Sequence, residues 1–110
     1  MKITNKSKRQ FQCRDGEEIT VTVRSKDTVF LVTYRLDQET GHLDEGEPLV
    51  FDLNESEANP TFLTLGFHFS GSNGGAYSIR ITGDPSGDTF RDAYSQDHVP
   101  VVFDHFTFNI

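Results

Sequence analysis

The sequence predicts an all-β fold, a single antiparallel β-sandwich of the jelly-roll or immunoglobulin-like type, with about seven or eight strands and little helix. Three observations support this prediction. Apolar and polar residues alternate along much of the chain, turn-forming residues separate the alternating runs, and no stretch of ten or more residues has helical apolar spacing. The 110 residues suit one domain, 1–110, which is long enough to bury a core without a disulfide or a structural metal.

The predicted strands are six runs in which side chains of alternating polarity would face opposite sides of a sheet. They lie at 18–24, 28–36, 49–53, 61–70, 76–82 and 101–110. The run 28–36 is apolar on both faces at its start, which is typical of a more central strand. In the last run the apolar residues change parity between Phe103 and Phe106, which predicts a β-bulge at Asp104–His105. The best helical segment is 89–95, one or two turns at most.

The distribution of charge along the chain argues against two kinds of partner. Seventeen acidic residues oppose ten basic ones, for a net charge of −7, and residues 36–110 contain only two arginines against thirteen carboxylates. Nucleic-acid binding usually requires a basic face, so we expect neither nucleic acid nor an anionic membrane as a partner.

The basic, polar N-terminus does not resemble a signal peptide, which predicts a cytoplasmic protein, or a secreted one if a leader has been removed.

The long segments 37–48 and 83–100 are the expected binding loops, because long loops in compact domains often have functional roles. In the second loop, the rings of Phe90 and Tyr94 could stack against a sugar while Arg91 and Asp92 bind its hydroxyl groups. The carboxylates of Asp84, Asp88 and Asp92 could alternatively surround a Ca²⁺ ion, which prefers oxygen ligands.

No catalytic motif is visible in the sequence. It contains no nucleophile elbow, phosphate-binding loop, dinucleotide-binding glycine pattern or zinc-protease motif, and its one cysteine, Cys13, cannot form an internal disulfide. The spacing of the four histidines does not favour a metal site. We therefore expect no enzymatic activity and no cofactor other than the Ca²⁺ considered above.

These observations favour a non-enzymatic binding module whose partner is a protein or a carbohydrate, contacted through loops 37–48 and 83–100. A structural protein that assembles through edge strands is the first alternative. The apolar C-terminal strand would then form homo-oligomers if it lay at a sheet edge. A calcium-dependent binding module is the second alternative.

Overall fold

A computed structural model describes residues 3–25, 30–44, 46–54, 58–69, 75–83, 90–97 and 101–110, with the backbone alone described for 3–8, 30 and 90–97. These described ranges contain nine strands and no helix. The strands are β1 (Ile3–Gln12), β2 (Glu18–Ser25), β3 (Phe30–Leu36), β4 (Glu39–Leu43), β5 (Leu49–Asp52), β6 (Thr61–Phe69), β7 (Ala76–Thr82), β8 (Phe90–Asp97) and β9 (Val101–Asn109).

The strands form two sheets, which confirms the predicted β-sandwich. The five-stranded sheet has the order β1-β9-β6-β3-β4, and the four-stranded sheet has the order β5-β2-β7-β8. Every described ladder is antiparallel except that between β1 and β9, which is parallel. Parallel neighbours need a long connection, and here the rest of the domain separates the two strands.

The core lies between the sheets and is formed by the apolar residues that alternation along the strands predicts. On β2 and β7 every second residue is buried, and β6 contributes Leu63, Leu65 and Phe67, which are fully buried. Phe108 on β9 stacks with Phe11 on β1 at a ring-centroid distance of 5.3 Å. Burial of so many large apolar side chains is the main source of stability in a domain of this size.

Two segments predicted to be loops contain strands. The segment 37–48 contains a turn at 37–38 and then β4, which pairs with β3, and the segment 83–100 contains β8, which pairs with β7. The same pairing replaces the short helix predicted at 89–95. Both strands are at sheet edges and have few apolar residues, so alternation of hydrophobicity along the sequence was too weak to reveal them.

The N-terminal strand and the predicted bulge also differ from expectation. β1 is polar for most of its length and lies outside all six predicted runs. The register shift lies in β1, between Asn5 and Ser7, whereas β9 pairs with β6 without interruption. Asp104 is fully buried on the inward face of β9, and it occupies the position where the sequence suggested a change of parity.

The C-terminal strand is not an edge strand. β9 lies between β1 and β6, so its backbone hydrogen-bonding groups are used on both sides. Assembly through this strand required β9 to lie at a sheet edge, and this condition is not met. The edges of the two sheets are β1, β4, β5 and β8.

Candidate functional site

The residues predicted to bind a ligand lie on β8, at the edge of the four-stranded sheet. In the backbone register Phe90 pairs with Thr82 and Tyr94 pairs with Ile79. Arg91 and Asp92 belong to the same strand. The other predicted binding segment, 37–48, is part of the five-stranded sheet, so the two segments belong to different sheets.

The predicted Ca²⁺ site falls largely outside the described part of the chain. Asp84 and Asp88 lie outside the described residues, and Asp92 is described only as a backbone position in β8. Among the residues that the structure describes, no three His, Cys, Asp or Glu side chains approach closely enough to hold a metal ion.

A groove with a volume of about 940 Å³ lies on the outer face of the five-stranded sheet. We call it the outer groove. It crosses β3, β4, β6 and β9, and its volume is at the upper end of the range typical of ligand sites. It is lined by Leu31, Thr33, Tyr34, Arg35, Thr40, Gly41, His42, Thr64, Gly66, Phe103 and His105.

The floor of the outer groove depends on a glycine in the middle of β6. A Cβ atom at Gly66 would lie 2.7 Å from Oγ1 of Thr33 and 3.0 Å from Cε1 of Phe103. The absence of a side chain at Gly66 therefore lets the half-buried Phe103 ring and the Thr33 hydroxyl close over the sheet. The result is one aromatic ring at the centre of the groove.

Gly41 on β4 also allows a close approach of an aromatic ring. It pairs with Tyr34, and a Cβ atom there would lie 2.7 Å from the Tyr34 hydroxyl oxygen. The tyrosine ring therefore lies directly against the edge strand. Tyr34 alternates with the buried Val32 and Leu36 on β3 and packs against the core, so its ring covers the core at this edge of the sheet.

The polar side chains of the groove belong to neighbouring positions on paired strands. Arg35 pairs with Thr64, and Thr64 pairs with His105. Thr64 Oγ1 and His105 Nδ1 are 3.1 Å apart, a hydrogen-bond distance that fixes the orientation of the imidazole. Among the described residues, His105 Nε2 has no hydrogen-bond partner, so this nitrogen is available to a ligand.

The β3–β4 turn holds Arg35 at one end of the groove. Asp37 adopts a left-handed conformation with φ of 52°, and its peptide NH donates to the Phe62 carbonyl at 2.9 Å. The Phe62 NH in turn donates to Oδ1 of Asp37 at 3.0 Å. Arg35 Nε donates to the Asp37 carbonyl at 3.1 Å. These bonds attach the turn to β6 and orient the guanidinium group of Arg35.

A smaller cavity of about 630 Å³ continues from the outer groove past this turn. Arg35 and Thr64 line both cavities, and Phe62, which is 56 % exposed, lines only the smaller one. At the opposite end of the groove, Leu31 is 48 % exposed. The outer face therefore has an apolar side chain near each end, with Phe103 between them.

The sequence contained part of the signal for this site. The alternate residues of β6 are Phe62, Thr64, Gly66 and His68, a mixed aromatic and polar set that differs from a plain solvent-facing pattern. The sequence did not show that β6 lies between β3 and β9, and this arrangement brings Arg35 and His105 to either side of Thr64. Sequence reasoning therefore missed the outer groove as a site.

Comparison with known proteins gives no functional assignment. No protein-family model matches the chain, and no curated protein or solved structure matches it either. Within the described ranges, the structure also has no helix of the length and hydrophobicity needed to span a membrane. The chemistry of the outer groove is therefore the main indication of function.

Proposed function

We propose that this chain is a non-enzymatic binding module that holds a saccharide in the outer groove. The observation that carries the proposal is the half-buried ring of Phe103 at the centre of the groove, surrounded by hydrogen-bonding side chains. A sugar ring has an apolar face and a rim of hydroxyl groups. An aromatic surface with polar neighbours complements both parts.

The polar groups around Phe103 include both donors and acceptors. The hydroxyl groups of Thr33, Thr40 and Thr64 can donate or accept hydrogen bonds, and the guanidinium group of Arg35 donates only. Sugar hydroxyls also donate and accept, so this mixture fits them better than a purely apolar surface would.

The chemistry of the groove favours binding over hydrolysis. Hydrolysis of a glycosidic bond generally requires two carboxyl groups on either side of the bond. The described residues that line the outer groove include two histidines and one arginine, but no aspartate or glutamate. This set of side chains supports the proposal that the groove binds a saccharide and does not hydrolyse it.

The test is a binding screen against a panel of immobilised saccharides, followed by calorimetric titration of the variants. We expect Phe103→Ala to weaken binding about tenfold, because loss of one stacked ring corresponds to roughly 1.4 kcal/mol. Phe103→Leu, which keeps an apolar side chain but removes the ring, should also weaken binding.

The matched control is Val50→Ala, because Val50 is 49 % exposed and lies on β5 in the other sheet. This variant should bind as the unmodified protein does. Thermal melts of all variants separate loss of binding from loss of folding. Unchanged affinity in both Phe103 variants would contradict the proposal, as would a panel in which no saccharide binds.

A further inference from the structure

We infer, on the basis of the proposed saccharide site, that the sugar bound in the outer groove carries a carboxylate group and that Arg35 binds this group. The first observation is a contrast in charge. The chain as a whole has a net charge of −7, whereas the described groove residues include no carboxylate, and the side chains among them that can carry a positive charge are Arg35, His42 and His105. A groove lined by basic groups on an acidic protein favours an anionic ligand.

The second observation is the state of the Arg35 side chain. Its Nε atom is held by the Asp37 carbonyl, and in the described part of the chain no carboxylate forms an ion pair with its guanidinium group. The two terminal nitrogens are thus available for an incoming group. Guanidinium groups bind carboxylates through two parallel hydrogen bonds, a geometry that a neutral hydroxyl group cannot provide.

The third observation is the position of His105 relative to Arg35. The two residues lie on strands either side of β6, opposite the same residue, Thr64. Two strand spacings separate their backbones by about 10 Å. A sugar unit that lies over Thr64 is therefore within reach of both side chains. The hydrogen bond between Thr64 and His105 already holds the imidazole ring in one orientation.

Two other anionic ligands fit the chemistry of the groove less well. Single-stranded nucleic acid has a phosphate at every nucleotide, and its binding depends on several basic contacts. The described groove residues offer one arginine and two histidines for such contacts, too few for a phosphate at every nucleotide. An acidic peptide would match Arg35 but would supply few hydroxyl groups for the threonines. An acidic saccharide supplies both kinds of contact.

The experiment compares trigalacturonic acid with its methyl ester by calorimetric titration at low and at moderate salt. Esterification removes the negative charges and leaves the size and hydroxyl groups of the sugar nearly unchanged. We expect the acid to bind at least about tenfold more tightly than the ester, since hydrogen bonds to charged groups are the strong ones. Only binding of the acid should weaken as salt is added.

Substitutions then assign the preference to one side chain. Arg35→Gln should bring the affinity for the acid down to that for the ester, and Arg35→Lys should retain only part of the preference for the acid. Arg24→Gln is the matched control, because Arg24 is an exposed arginine on β2 in the other sheet. It should keep the full preference.

The outcomes separate this inference from the proposed function. If the ester or a neutral sugar binds as tightly as the acid and Phe103→Ala still weakens binding, the saccharide site stands and the carboxylate inference is wrong. If no saccharide binds, both are wrong. Polyglutamate and single-stranded DNA are added as competitors of trigalacturonic acid. If either one binds as tightly as the acid and displaces it at equal concentration, the inference is wrong and the ligand is a peptide or a nucleic acid.

Discussion

A buried hydrogen bond between the two sheets offers a quantitative test of the fold. Tyr77 on β7 is 1 % exposed and Asp104 on β9 is fully buried. The tyrosine hydroxyl donates to Oδ2 of Asp104 at 2.7 Å. The ring of Tyr77 also stacks on Phe67 at a centroid distance of 4.5 Å. The change Tyr77→Phe keeps this stacked ring and removes only the hydroxyl group.

The expected cost of Tyr77→Phe follows from the chemistry of its partner. Removing one partner of a buried hydrogen bond costs about 1–3 kcal/mol, because the remaining partner, here the Asp104 carboxyl group, cannot replace the lost bond with one to water. A domain of this size has a total stability of about 5–15 kcal/mol, so the loss is a large fraction of it. The melting temperature should fall by about 10 °C.

Urea denaturation followed by circular dichroism measures this difference directly. The matched control is Tyr34→Phe, because the described residues offer the Tyr34 hydroxyl no hydrogen-bond partner. Its free energy of unfolding should stay within about 0.5 kcal/mol of that of the unmodified protein. If Tyr77→Phe is as stable as this control, the hydrogen bond does not stabilise the core and the account of Asp104 is wrong.

Three further predictions concern the sheet, the groove and the Ca²⁺ alternative. Deletion of 101–110 removes a strand from inside the five-stranded sheet, so thermal melts should show no cooperative transition; a melt like that of the full chain would contradict this. Gly66→Ala places a Cβ 2.7 Å from Thr33 Oγ1, and urea titration should show a loss of about 1–3 kcal/mol, whereas unchanged stability would refute the close packing. CaCl₂ and NaCl at equal ionic strength should shift the melting temperature equally. A Ca²⁺-specific increase that Asp88→Ala abolishes would instead favour the calcium-dependent module.

Alternation of apolar residues predicted the strands that bury the side chains of one face completely in the core. Ile19, Ile79 and Leu65 belong to such strands, and all three are buried where the pattern placed them. Strand β1 was missed because its residues are mostly polar and its position depends on pairing with the distant β9. Pairing between segments so far apart is a property of the tertiary structure, which local sequence patterns do not record.

Asp104 shows a second limit of sequence patterns. A carboxylate at an inward position looks like a change of face, because an unpaired charge in a core is strongly unfavourable. The hydrogen bond from Tyr77, on the other sheet, makes the inward position tolerable. The candidate site was missed for a related reason, since its residues belong to strands that become neighbours only when the sheet forms.

The most direct test of the central claim is a nuclear magnetic resonance titration with trigalacturonic acid, in which amide shift changes report the contact surface. We expect saturable changes at groove positions on β3, β4, β6 and β9, with the largest near Arg35, Gly66 and Phe103. Amides of β8, on the other sheet, should not shift. Changes concentrated on β8, or none on the groove strands at millimolar ligand, would contradict the assignment of the outer groove as the binding site.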